Sequence, residues 1–252
     1  YDVGCNNYSL TPGATTLVSS NQSKLSIRTS TGSATVAGMT FQGTHLLMFS
    51  PVLSDCPSQR RTISLSRVRI DQAMFEAIGW CHDVMVENSL FSNGVTIPDT
   101  NYAASTGVGI YLAFDEDSYD SASTLTMVNS SVINGRLDLI SNDSQGLGTA
   151  FLYNSIFSRD AGNDITAEAN LLAMNSRFDG ITFESGGMLL PGSSGNVSAA
   201  PQLDSSYVPQ PGSAMINAGT AIVPDGLPSV DHAGGDRVVG PRVDIGALES
   251  AV

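Results

Sequence analysis

Short apolar alternations return along the middle of the chain in a constant order. Four eight-residue segments align without gaps: Val84-Met85-Val86-Glu87-Asn88-Ser89-Leu90-Phe91, Leu125-Thr126-Met127-Val128-Asn129-Ser130-Ser131-Val132, Ala150-Phe151-Leu152-Tyr153-Asn154-Ser155-Ile156-Phe157 and Leu171-Leu172-Ala173-Met174-Asn175-Ser176-Arg177-Phe178. Segments 34–41 and 63–70 fit more loosely. Three columns are apolar throughout: Ala34, Ile63, Val84, Leu125, Ala150 and Leu171; Val36, Leu65, Val86, Met127, Leu152 and Ala173; Phe41, Ile70, Phe91, Val132, Phe157 and Phe178. The first two columns alternate with more polar neighbours, as in a strand with one buried face. The third comes one residue late for that alternation, so the chain bends at the Asn position. Starts at 34, 63, 84, 125, 150 and 171 give steps of 29, 21, 41, 25 and 21. Steps near two dozen match one coil of a parallel β-solenoid, whose stacked strands repeat every ~4.8 Å.

The pattern predicts an all-β, right-handed parallel β-helix of about six or more coils with an irregular C-terminal cap. Residues 33–190 form the coils, 191–252 the capping segment of the same domain, and 1–32 a cap or a contact with another subunit. The long step of 41 holds two loops, 96–106 and 115–123, around a Gly-led strand at 107–114. Asn88, Asn129, Asn154 and Asn175 fall at the bend, where stacked amides are expected to bond one another as an interior ladder. Gly38 and Arg67 take that place in the looser coils.

Composition narrows the partners. The chain has 252 residues, 41% hydrophobic but only 14% charged, against roughly 25% in an average domain. Ser, Thr, Asn and Gly must therefore cover the surface. A net charge of −13 and a single lysine, Lys24, argue against nucleic acid and against anionic substrates. No apolar run is long enough for a membrane-spanning helix, so membrane insertion is not expected.

Candidate chemistry is sparse. Asp115, Glu116 and Asp117, with Asp120, form the densest acidic run. Hard oxygen ligands suit Ca²⁺, the one candidate cofactor, but the EF-hand spacing is absent and a solvated loop tip is the plainer reading. Asp138, Asp143, Asp160, Asp164 and Asp179 with Arg136, Arg159 and Arg177 supply carboxylates and cations, yet no coil carries a paired acid site. His82 and Asp83 are adjacent in a strand and point to opposite faces. Cys56 and Cys81 lie one coil step apart, a spacing that permits a bridge; Cys5 with Cys56 is the competing pair.

The strand–Asn-Ser–x–aromatic coil and the interposed Gly-x-Gly-Ile-Tyr strand (107–111) resemble secreted right-handed parallel β-helix repeat proteins of bacteria. Gln210-Pro211-Gly212-Ser213-Ala214-Met215-Ile216-Asn217-Ala218-Gly219 resembles that family's P-G-S-P-A-I-D-A-G segment, with Asn217 in place of the usual Asp. Asp231, Arg237, Gly240, Arg242, Asp244, Ile245, Gly246, Ala247 and Glu249 resemble its closing choice-of-anchor segment, with Leu248 in place of the usual Tyr. The likeness covers about 33–249. It implies a secreted or cell-surface bacterial protein and no single activity, because the fold hosts lyases, glycosidases, adhesins and phage spikes. Read from the residues, the closing segment is a cap in which Arg237 and Arg242 pair with Asp231, Asp244 and Glu249. The expected role is structural or adhesive, without catalysis, with another copy of the chain or surface carbohydrate as partner. A polysaccharide lyase or glycoside hydrolase is the alternative.

Overall fold

The computed structural model describes residues 15–18, 24–28, 33–50, 60–79, 82–95, 107–114, 123–141 and 148–251. Among them there is no helix, and the strands form three parallel sheets of six, seven and six members. The first sheet holds Thr15–Val18, Met39–Gln42, Arg69–Asp71, Leu90–Ser92, Ser131–Ile133 and Ile156–Ser158. The second holds Lys24–Arg28, His45–Ser50, Phe75–Gly79, Val108–Phe114, Arg136–Ser141, Ile165–Ala167 and Ile181–Phe183. The third holds Ala34–Ala37, Arg61–Ser66, His82–Glu87, Thr124–Val128, Thr149–Tyr153 and Asn170–Met174. Each coil visits the three sheets in turn, and the chain is a parallel β-solenoid.

The stacking follows the sequence columns. Ala34, Ile63, Val84, Leu125, Ala150 and Leu171 are successive partners in the third sheet, as are Val36, Leu65, Val86, Met127, Leu152 and Ala173. Phe41, Ile70, Phe91, Val132 and Phe157 stack in the first sheet. The second sheet adds Leu46, Phe75, Ile110, Leu137 and Ile165, so one apolar column fills the interior. Truncating one of its phenylalanines to Ala is expected to cost ~3–5 kcal/mol, because the neighbouring coils cannot collapse onto the void.

The bend is a single left-handed residue. Gly38, Arg67, Asn88, Asn129, Asn154 and Asn175 all have φ between 46° and 63°. Asn tolerates this region because its short amide bonds locally, and Gly38 has no Cβ to clash. A second left-handed corner follows at Gly43, Gln72, Asn93 and Asn134. Beyond the first corner lies a serine ladder. The hydroxyls of Ser89, Ser130, Ser155 and Ser176 accept from the backbone N–H of Val68, Ser89, Ser130 and Ser155 at 3.1–3.3 Å. Each donates to the carbonyl two residues before it. The last rung is Asn196, whose Oδ1 accepts from the Ser176 N–H at 3.0 Å.

The C-terminal segment does two jobs. Leu189, Ser194 and Val197 bridge to Leu171, Met174 and Arg177 and add a last layer to the stack. From about residue 200 the chain turns aside and runs back along the flank beside the first left-handed corner. Asn175, Asn154 and Asn88 bond Ala218, Thr220 and Val230 in that order, so this strap climbs back past several coils instead of covering the end. The reason is apolar. Leu90, Ile133 and Ile156 point outward from the first sheet and bury against Met215, Ile245 and Ala247.

Candidate functional site

The Asn column is expected to form an interior amide ladder. One rung of that kind is present, Asn154 Nδ2 to Asn129 Oδ1 at 2.9 Å. The other contacts reach the strap. Asn154 also donates to the Thr220 carbonyl at 2.8 Å and accepts from the Thr220 N–H at 2.7 Å. Asn88 and Asn175 donate to the carbonyls of Val230 and Ala218. The column thus holds the corner and docks the strap. His232 Nδ1 lies 2.9 Å from the Asn88 carbonyl, and burial holds its ring below the usual pKa.

The strap closes on a buried ion pair. Arg237, 1% exposed, lies 2.8 Å from Glu249 and donates to the carbonyls of Ala247, Asp244 and Gly246. Desolvation lowers the Arg237 pKa and raises that of Glu249 to about 7, with Arg237 opposing the latter shift. Asp244 accepts from the N–H groups of Asn217 and Ser250. Asp231 accepts from those of Gly235 and Glu249. Arg242 bonds the Gly219 carbonyl. Of the five expected ion-pairing residues, Arg237 and Glu249 pair with each other, while both aspartates hold backbone.

Two carboxylates share one outer row of the second sheet. Glu76, Tyr111 and Asp138 are register neighbours across the second sheet, so the two acids stand two strand spacings, ~9.6 Å, apart along the backbone. All three are buried, and both Asp138 oxygens are taken by Arg136. That is the arrangement of a structural polar cluster. Of this row the sequence offers Asp138 as a candidate carboxylate and Tyr111 as an aromatic; Glu76 is missed because nothing in the chain reveals that 76 and 138 share a row. Asp164 pairs with Arg177 at 3.0 Å and accepts from the Asp179 N–H, while Arg177 donates to the carbonyls of Phe157 and Ala199. Burial raises the Asp164 pKa. His82 is buried and Asp83 faces outward, where the hydrogen bond from Arg60 holds its carboxyl below the usual range. Cys5, Cys56, Cys81, Asp115, Glu116, Asp117 and Asp120 lie outside the described residues, and so do both loops except Ser123. Among the described residues no three metal-ligating side chains cluster.

The outer face of the third sheet carries three rows of side chains, exposed or partly exposed except for the buried Val128. One row reads Thr35, Ser64, Met85, Thr126, Phe151, Leu172. The next reads Ala37, Ser66, Glu87, Val128, Tyr153, Met174. A third, Thr62, Asp83, Thr124, Thr149, Asn170, borders them. Polarity changes along the solenoid, from Ser and Thr at the N-terminal end to half-exposed Phe151, Tyr153, Leu172 and Met174 at the other. Burial, and the charge of Asp225 on the strap, raise the Glu87 pKa on the same face. The periodicity hid this surface, because outward positions were read only as the polar half of an alternation.

No protein-family model matches the chain, and no curated protein sequence matches it. The functional reading rests on this geometry.

Proposed function

We propose that this protein is an extracellular or cell-surface structural protein that binds neutral carbohydrate on the outer face of its third sheet, without catalysis. The observation that carries the reading is the strip of partly exposed Phe151, Tyr153, Leu172 and Met174 on the outer face of a parallel sheet. Aromatic faces pack against the C–H faces of sugar rings, and Thr126, Thr149 and Asn170 offer hydroxyl and amide partners alongside. Among the described residues this face carries the Asp83–Arg60 pair, which is neutral overall, and Glu87, so its charge does not favour an anionic glycan. The overall charge of −13 works in the same direction.

Binding should be measured against an array of neutral and acidic polysaccharides. Neutral polymers are expected to bind, and Phe151→Ala or Tyr153→Ala to weaken them about tenfold each, while Thr35→Ala leaves affinity unchanged. Absence of binding to every neutral glycan, or indifference to both aromatic truncations, would end this reading. New reducing ends or unsaturated products would overturn its non-catalytic part.

A further inference from the structure

Among the described residues, no layer covers the interior column of the solenoid at either end. In the middle coils the inward residues Leu46, Phe75, Ile110, Leu137 and Ile165 are sealed by the layers above and below. At the N-terminal end Leu17 stacks on Phe41, Leu25 on Leu46 and Ile27 on Met48. Leu17 is 36% exposed, and Leu25 and Ile27 are half-buried. At the C-terminal end Ile181 stacks on Ile165 and Phe183 on Ala167, both half-buried, and Leu189 stacks on Leu171 with 42% of its surface exposed. Met188 beside it is 53% exposed. The segment that could have covered this end lies on the flank instead.

We propose that copies of this chain dock end to end, the first coil of one on the last coil of the next, through the second sheet. Among the described strands, Lys24–Arg28 and Ile181–Phe183 are the two terminal members of that sheet, so each presents an outer edge of peptide N–H and C=O groups. All pairings in the sheet are parallel, so the two edges run in the same direction and continue one ladder when brought together. Carrying the register onward puts Leu25 on Ile181 and Ile27 on Phe183, closing the apolar column. The contact joins two different surfaces, so it leaves a free end after each addition and grows into rods rather than closing as a dimer. The reading is independent of carbohydrate binding, which uses a lateral face.

The test is sedimentation velocity of the full chain against protein and salt concentration, with negative-stain imaging. Rods lengthening with protein concentration are expected, favoured by salt because net charges of the same sign repel. Phe183→Lys, at a half-exposed end position, should abolish association while circular dichroism stays that of the parent. Leu25→Lys, at the opposite end, should abolish it as well, and mixing the two variants should give a one-to-one pair joined through the two unaltered ends. A parent that is a monomer at all concentrations or a closed dimer, association unmoved by Phe183→Lys or Leu25→Lys, or variants that do not pair on mixing would overturn the proposal.

Discussion

The coils and the strap solve one problem, satisfying backbone polar groups, in opposite ways. In the coils each strand is the partner of the next, and at the corner a serine hydroxyl supplies the bond that the ladder misses. One solution, repeated, is enough. The strap has no strands and no repeat. It relies on particular side chains: Asn154 clasping Thr220 from both sides, Asp244 and Asp231 holding N–H groups, and Arg237 gathering three carbonyls and Glu249. Repetition spreads the consequences of losing one residue over neighbours. A unique side chain at the centre of an irregular segment has no neighbour to share them.

The sharpest way to break this comparison is Arg237→Ala. It leaves Glu249 and three carbonyls buried without their cation, for an expected loss of ~3–5 kcal/mol in the strap. Hydrogen exchange should show strap amides losing protection while coil amides such as those of 150–157 keep theirs. Parallel loss in both regions would mean that they are one cooperative unit. Asn154→Ala comes next, at ~2–3 kcal/mol in denaturant unfolding, since it removes the clasp and leaves Ala at φ 48°. Asn154→Gly should recover about 1 kcal/mol of that, and equal losses would show that backbone strain plays no part. The smallest effect is a pH slope. Burial lets Glu249 hold its proton to about pH 7 when folded, against the usual 4.5 for an exposed glutamate, so its stabilising contribution is complete below pH 4.5 and is lost as pH rises through 7. The stability of the parent relative to Glu249→Gln should therefore fall across that window and level off above it. A gap that widens in favour of the parent with rising pH would contradict the assigned direction.

Much of the solenoid was legible because its cause is periodic. Val86, Met127, Leu152 and Ala173 share a column in sequence and in space, since one coil length separates them. The second sheet was harder. Its strand Val108–Phe114 sits between loops of unequal length, so the row of Glu76, Tyr111 and Asp138 has no constant spacing to reveal it. The outer face of the third sheet was half legible. Phe151 and Tyr153 were visible as residues, but their meaning depends on the neighbours that stacking gives them, Leu172 and Met174. The Asn column was legible as a column and not in its partners, because Ala218, Thr220 and Val230 are distant in the chain and no repeat links them to it.

By itself the sequence determined which side chains line the interior and where the chain bends, because apolar spacing and the left-handed tolerance of Asn and Gly act locally. Only the tertiary structure decided where the last fifty residues go. An irregular segment is placed by whichever buried partners it finds, and here Leu90, Ile133 and Ile156 on the flank drew it away from the end of the stack.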